Sequence, residues 1–422
     1  MSDSLRRGHL GRTSPAKVAN GTGDSVDLTC GDRQGRRDRL PEIPMNDSVP
    51  ASEKLSVPAP LPPLFDLPYL TSDLPGTGGR WKDSVDEFVV EEIPAYEPSG
   101  SGEHLFLWIE KRDVAANDLV RHVSRSLSCS PRDIGVAGMK DRRAITRQYI
   151  SVPAKLSERV TSIDNDLIKV LRSERHGNKL KTGHLKGNRF SIVIRDVEAD
   201  AMERADAIAA RIRMQGFPNY YGTQRFGRGG ETLQLGLDLL TGRKKSREIP
   251  EGQRRFLLRL SISAVQSDLF NHALAARLAD GILNKVLAGD VMEVVASGGK
   301  FIAEDVNAEQ PRYDAGEIAV TGPMFGLKMR EPLGVPQQRE AELLAWSGLG
   351  PEHFAKYLNL MSGTRRPYII RPGQLEITPE TSGLRFAFSL PSGVYATTLL
   401  REFMKTDEMP LVSEADEGDH QQ

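Results

Sequence analysis

"GMKDRRAITRQYISV", residues 138–152, packs five charged side chains into its first ten positions and then becomes a run that reads as a buried strand from about 145 to 152. One carboxylate, Asp141, stands between Lys140 and Arg142 where the turn meets that strand. Two readings fit these residues alone. Asp141 caps a charged hairpin, or it is a reactive acid in a basic cleft, because cations within a few ångströms favour the ionised form of a carboxylate.

Working outward, "DEFVVEEI" (86–93) and "EHLFLWIEK" (103–111) are β-rich runs separated by a loop at 94–102, expected to pair with each other as antiparallel strands. "NDLVRHVSRSL" (117–127) puts Leu119, Val120, Val123 and Leu127 on one helical face, with Asn117 as N-cap. "RFSIVIRDV" (189–197) alternates Phe190, Ile192 and Ile194 on one strand face, and Asp200 opens a helix carrying Met202, Ala205, Ile208 and Ile212. Strands and helices mixed in this way, with antiparallel connections, indicate an α+β fold rather than a doubly wound sheet.

"TGRKKSREIPEGQRR" (241–255) is a basic, turn-rich break followed by an amphipathic helix at 263–281. A strand returns within "GTRRPYIIRPG" (363–373), and 384–404 reads as strand, turn and helix. The expected organisation is a catalytic domain over 65–245, an inserted lobe over 246–360, and the rest of the domain over 361–406. Residues 1–64 contain no aromatic side chain, and 407–422 form an acidic tail. Both are expected to be disordered, since neither can bury enough apolar surface to offset chain entropy.

Composition narrows the function. A net charge of −1 excludes a uniformly basic protein, so any nucleic-acid surface must be local. No apolar run approaches the length of a membrane span, and the N-terminus lacks the apolar segment of a signal peptide. The acids Asp3, Asp24, Asp27, Asp32 and Asp38 argue against an organellar transit peptide, which leaves a cytoplasmic protein as the expectation. Two cysteines and eight scattered histidines supply neither a disulfide framework nor a zinc spacing.

Two stretches add chemistry. Residues 172–195 carry Arg172, Arg175, Lys179, Lys181, Lys186, Arg189 and Arg195, broken by Gly177, Gly183 and Gly187. Such cations on a loop suit a phosphate-tracking surface, or simply a solvated one. "NYYGTQRFGRGG" (219–230) sets Asn219, Tyr220 and Tyr221 before Arg225 and Arg228, the mixture of ring and cation that binds structured or single-stranded RNA and can stack an extruded base. Core aromatics are the plainer reading of the tyrosines. "GTGG" (76–79) lacks the strand-to-helix setting of a dinucleotide loop and reads as a linker.

Taken together, "AGMKDRRAITRQYISV" (137–152), "FVVEEI" (88–93), "GEHLFLWIEK" (102–111), "KLKTGHLKGNRF" (179–190), "NYYGTQRFGRGG" (219–230), "TGPMFG" (321–326) and "LPSGVYATTLLREF" (390–403) resemble the blocks of the TruD family of tRNA pseudouridine synthases. The resemblance covers about 81–403. It implies a pseudouridine-synthase fold, a mixed and largely antiparallel sheet flanked by helices, with a family-specific α+β lobe inserted. It implies conversion of uridine to pseudouridine in tRNA, usually at uridine-13, with no cofactor and no metal; no protein partner is implied, and a monomer is the expectation.

Residue by residue, Asp141 resembles the catalytic aspartate, acting at the ribose either as a nucleophile on C1′ or as a base on the 2′ proton. Tyr221 falls where the family commonly has phenylalanine, the ring expected against the extruded base, and Asn219 matches its asparagine. Lys82 matches a lysine expected to reach the site or a phosphate, although Val85 and Glu87 replace the usual proline and aspartate after it. Lys140, Arg142 and Arg225 are expected to set the field or meet phosphate, and Arg401 to pair with Asp141. The rivals are a non-catalytic tRNA-binding chaperone, which would not need Asp141, and a nuclease or glycosidase, which would call for a second acid or a histidine, such as Glu91 or Glu92, beside it.

Overall fold

Residues 145–153 form an interior strand of the main sheet, and this placement organises the part of the molecule built around that sheet. The computed structural model describes residues 67–81 and 84–406. The tails 1–64 and 407–422, and Lys82, lie outside the described residues.

In chain order the strands of the main sheet are β1 (Gly78–Trp81), β2 (Phe88–Pro94), β3 (His104–Arg112), β4 (Gly135–Val136), β5 (Ile145–Pro153), β6 (Ile168–His176) and β7 (Leu185–Val197), joined late in the chain by β14 (Gly373–Glu380) and β15 (Gly383–Pro391). Their order is β14-β15-β7-β2-β5-β3-β6, with β1 added against β7 and β4 against β5. All pairs are antiparallel except β2 with β5. The runs at 86–93 and 103–111 therefore do not pair with each other as expected, because β5 lies between them, parallel to one and antiparallel to the other. The physical reason lies in β5 itself, where Thr146, Gln148, Tyr149, Ile150, Ser151 and Val152 are all buried. A strand that must cover both faces takes the middle of a sheet.

Helix α1 (Ala116–Leu127) packs Leu119, Val123 and Leu127 against Ile150 and Val152 of β5 and Leu105, Leu107 and Ile109 of β3. Its cap lies two residues earlier than the sequence suggested, with Ala115 in the cap position and Asn117 inside the first turn. Helix α2 (Ala201–Gln215) and the C-terminal helix α8 (Ala396–Met404) pack on β2, β7 and β15 through Ile208, Ile212, Leu399 and Phe403 against Val90, Phe190, Ile192 and Phe386. Val90 is in register with both Thr146 and Phe190, so the three helices cover one face of the sheet. On the other face an ion ladder crosses four strands, Glu110–Arg147 at 2.8 Å, Arg147–Glu91 at 3.5 Å and Glu91–Arg189 at 2.7 Å.

Segment 76–79 is not a linker. Gly78 and Gly79 belong to β1, and Thr77 donates its N–H to the Phe403 carbonyl, so the segment is pinned between β7 and α8. The cations of 172–195 are likewise redistributed. Arg172 and Arg175 lie on edge strand β6, Lys186, Arg189 and Arg195 on β7, and only Lys179 and Lys181 on the connecting loop.

Past β8 (Phe217–Pro218) the chain runs through α3 (Glu231–Leu240) into α4 (Glu251–Ala279), which starts well before the helix the periodicity predicts at 263. A second sheet follows: β9 (Val291–Val294), β10 (Lys300–Ile302), β11 (Ile318–Met324) and β12 (Thr364–Pro367), in the order β10-β9-β11-β12. Helices α5 (Val306–Asp314), α6 (Gly334–Ser347) and α7 (Pro351–Ala355) surround it, and a short β13 (Ile369–Ile370) returns to pair with β8. Helix α4 serves two cores, placing Phe270 and Leu274 against Met292, Ile318 and Val320, and Ile262, Val265 and Leu269 against Leu233, Phe325 and Phe354. Among the described residues no helix is long and apolar enough to cross a membrane.

Ile150 is fully buried between β3 and α1. Replacing it with alanine is expected to lower the unfolding free energy by about 2–5 kcal/mol, measured by urea denaturation.

Candidate active site

The loop from β4 to β5 carries Asp141 exposed, with Lys140 before it turned inward and Arg142 after it at the surface. Lys140 is buried, donates to Asn188 Oδ1 at 2.7 Å and lies 3.1 Å from the buried carboxylate of Glu92. Burial pushes the Glu92 carboxyl up, and the Lys140 ammonium partly offsets this. Glu92 Oε1 also accepts the Tyr149 N–H at 3.4 Å, so β2 and β7 together grip the residue before Asp141.

A second ammonium holds Asp141 from below. Lys111, fully buried on β3, donates at 2.7 Å to the main-chain carbonyls of both Asp141 and Val114. Arg142 reaches Asp113 at 3.8 Å on the surface. The acid is thus presented outward by a backbone tied to the sheet at consecutive residues.

The second cluster is built around "NYYG". Tyr221 has its backbone N–H and C=O bound by the side-chain amide of Asn271 on α4, at 2.8 and 3.0 Å. The Arg366 guanidinium lies 4.2 Å from the Tyr221 ring centre, and Phe270 and Tyr395 meet the ring at steep angles, with centroids 5.8 and 6.0 Å away. Arg366 donates to Asn219 Oδ1 at 2.5 Å and to the Gly393 carbonyl at 3.1 Å, while Asn219 Nδ2 donates to the Pro367 carbonyl at 2.8 Å. Burial pulls Arg366 below the usual arginine range and pushes Tyr395 above the usual phenol range. Arg225 lies 5.8 Å from the Tyr221 ring centre and donates to Ser263 Oγ at 2.8 Å and Ser267 Oγ at 3.2 Å on α4. Tyr220, by contrast, is core.

The two clusters are joined through the sheet. Asn188, which holds Lys140, is paired with Leu390 of β15, and the turn after β15 supplies the Gly393 carbonyl to Arg366. The structure therefore brings Asn219, Tyr221 and Arg225 together and ties them by this route to Lys140 and Asp141. It does not bring in Arg401, whose guanidinium lies 3.7 Å from the centre of the Tyr69 ring and donates to the Leu67 carbonyl. The expected pairing of Arg401 with Asp141 is replaced by this contact, because Arg401 faces the 67–69 segment packed on α8. Lys140 is committed inward, so it positions Asp141 rather than reaching phosphate.

Sequence reasoning missed Lys111, Asn188, Asn271, Arg366 and Tyr395 as members of the site, and named Glu92 only as the second acid a nuclease or glycosidase would call for. All lie in stretches already singled out for pattern, but Asn271, inside the helix at 263–281, gives no local signal of its own, since an asparagine on an amphipathic helix is ordinary. Among the described residues no group of three or more His, Cys, Asp or Glu side chains could hold a metal ion.

The family model described as tRNA pseudouridine synthase D (TruD) matches residues 65–247 and 253–403. The tRNA pseudouridine synthase D of Anaeromyxobacter dehalogenans (strain 2CP-1) is 42% identical over 349 residues, covering 82% of this chain and 99% of its own length. That of a Thermus thermophilus strain is 40% identical over 346 residues, covering 81% and 93%. A crystal structure of the putative tRNA pseudouridine synthase D from Methanosarcina mazei superposes with a TM-score of 0.65 at 26% identity, covering 80% of this chain and 96% of that one.

Two expectations follow from the geometry. Lys140→Met strands the buried Glu92 carboxylate and should cost about 3–5 kcal/mol, whereas adding Glu92→Leu should recover much of it, as read by urea denaturation of the single and double variants. Asp268, on α4 one turn before Asn271, has its Oδ2 buried without a hydrogen bond among the described residues, and burial pushes it up to about 7. Because the folded value lies above the unfolded one near 3.8, this group's contribution to stability is full below about pH 4 and is lost as pH rises through 7. Asp268→Asn should make that slope shallower than in the wild type in urea midpoints measured from pH 4 to 8.

Proposed function

Because this chain belongs to the tRNA pseudouridine synthase D (TruD) family, we propose that Asp141 is the carboxylate with which it acts and that uridine-13 of tRNA is its target. The activity is the isomerisation of uridine to pseudouridine in tRNA. The N1–C1′ bond breaks, the uracil turns within the site, C5 bonds to C1′, and the C5 proton is lost to solvent while N1 takes up a proton, so the product is an isomer of the substrate. Asp141 serves at the ribose, either attacking C1′ or removing the 2′ proton. Both routes need an acid held at a fixed point, and the observation that carries the assignment is a pair of buried lysines: Lys111, which donates to the Asp141 carbonyl, and Lys140, the preceding residue, which is anchored to Asn188 and Glu92.

In this reading Tyr221 receives the extruded base, a contact that offsets the few kcal/mol lost on unstacking. Asn219 and Asn271 hold that ring in place, and Arg225 and Arg142 meet the RNA backbone. Lys82, placed by its motif, joins them. Arg401 has no part in the site, since Tyr69 and Leu67 engage it. The lobe at 246–360 clamps the RNA, and the enzyme works as a monomer in the cytoplasm without a cofactor.

The test is tritium release from tRNA carrying 5-tritiated uridine. Asp141→Ala is expected to lower the rate at least about 100-fold, and tRNA with cytidine at position 13 should release nothing specific to that site. Release by Asp141→Ala at the wild-type rate would remove the catalytic assignment, and undiminished release from the cytidine-13 tRNA would remove the target.

A further inference from the structure

On the face of the sheet that bears the ion ladder, the loop between β6 and β7 walls a cavity of about 510 Å³, lined by Tyr96, Glu97, His176, Lys179, Lys181 and His184. Its construction is specific. The Tyr96 and His176 rings are stacked, with centroids 5.1 Å apart and planes 19° from parallel. The Tyr96 hydroxyl lies 2.6 Å from His184 Nδ1, and the Ser99 N–H donates to His176 Nδ1 at 3.3 Å, so both rings are fixed in orientation. Phe106 packs behind them, 4.7 Å from His176 and 6.3 Å from Tyr96 between centroids.

The charge of the cavity is cationic. Its one acid, Glu97, is paired with Arg172 at 3.1 Å. Lys181 is exposed, and Lys179 is anchored through its ammonium to the Arg132 carbonyl. The cavity is also tied to the reacting loop, since Gly183 donates its N–H to the Ala137 carbonyl at 2.8 Å, four residues before Asp141.

A ring shelf flanked by lysines, in a recess large enough for a drug-sized ligand, matches neither a free anion, which needs no shelf, nor a duplex, whose bases are already stacked. We propose that this cavity takes one unpaired nucleotide of the substrate RNA other than the target uridine. Its base extends the Tyr96–His176 stack, and its phosphate meets Lys181 and Lys179. The proposal rests on the reading of the chain as a tRNA-modifying enzyme and adds a second point of RNA recognition beside the site of reaction.

The experiment measures binding of an unmodified tRNA transcript by fluorescence anisotropy, with tritium release on the same tRNA. Tyr96→Ala is expected to weaken binding about 5- to 100-fold, the range for one base on one ring. Tyr96→Phe should keep most of the affinity, because the ring remains. Lys181→Ala, an exposed change that spares the core, should weaken binding and reduce the salt slope by about 0.7–1. The losses should fall on Kd and KM rather than on kcat, and ultraviolet cross-linking should join an unpaired nucleotide to the peptide holding Tyr96 or His176. Wild-type affinity in both Tyr96→Ala and Lys181→Ala, with the wild type releasing tritium, would overturn the proposal, as would a loss in Tyr96→Phe equal to that in Tyr96→Ala. No release by the wild type would instead overturn the tRNA reading and this proposal with it.

Discussion

A buried ammonium must find its counter-charge where it lies, and Lys140, on the loop that leads into β5, finds Glu92 on the neighbouring strand β2. That pair, completed by Asn188, fixes the route by which the chain enters the central strand. It can exist only because β2 and β5 run parallel at the middle of the sheet, with β7 alongside. Had β2 paired with β3, as adjacent runs usually do, Glu92 would face a different strand and the loop bearing Asp141 would have no anchor. Lys111, from the far side of β5, adds a second anchor to the same loop. The exposed acid is therefore the visible end of a buried electrostatic arrangement.

Rigidity of the second cluster comes from α4. One helix carries Asn271 against the Tyr221 backbone, Ser263 and Ser267 against Arg225, and Phe270 against the Tyr221 ring. Arg366 then joins this group to the turn at Gly393, so that Asn219 and Gly393, far apart in the chain, share one guanidinium. The ring proposed to receive an extruded base gains from this, since every freedom removed in advance is entropy not lost on binding. The same helix packs on the second sheet through Phe270 and Leu274, which couples the position of Tyr221 to the packing of that sheet.

How much of this was legible in the sequence depended on whether the signal was local. The strands at 145–153 and 185–197 and the helices α1, α2 and α8 follow from alternation and 3.6-residue periodicity, which report a face and hence a burial pattern. Strand partners were not legible, because the same alternation suits any neighbour with an apolar face; hence β2 and β3 were joined when β5 separates them. The glycines at 76–79 read as a linker since nothing local reveals β7 and α8 on either side. In the site, Asp141, Asn219, Tyr221 and Arg225 stand out by type and setting, whereas Asn271 and Arg366 matter only through what they touch.

By itself the sequence determined an α+β protein with a local basic surface, an acid at the mouth of a core strand and an aromatic–arginine turn. The order of its blocks determined the family. Only the tertiary structure decided that Lys140 points inward to Glu92, that Arg401 belongs to Tyr69 rather than to Asp141, and that Tyr96 and His176 form a shelf beside Lys181. The reason is physical. Residue type and spacing fix what a side chain can do, but the direction of a long charged side chain is set by whichever counter-charge or carbonyl the folded chain brings within about 3 Å.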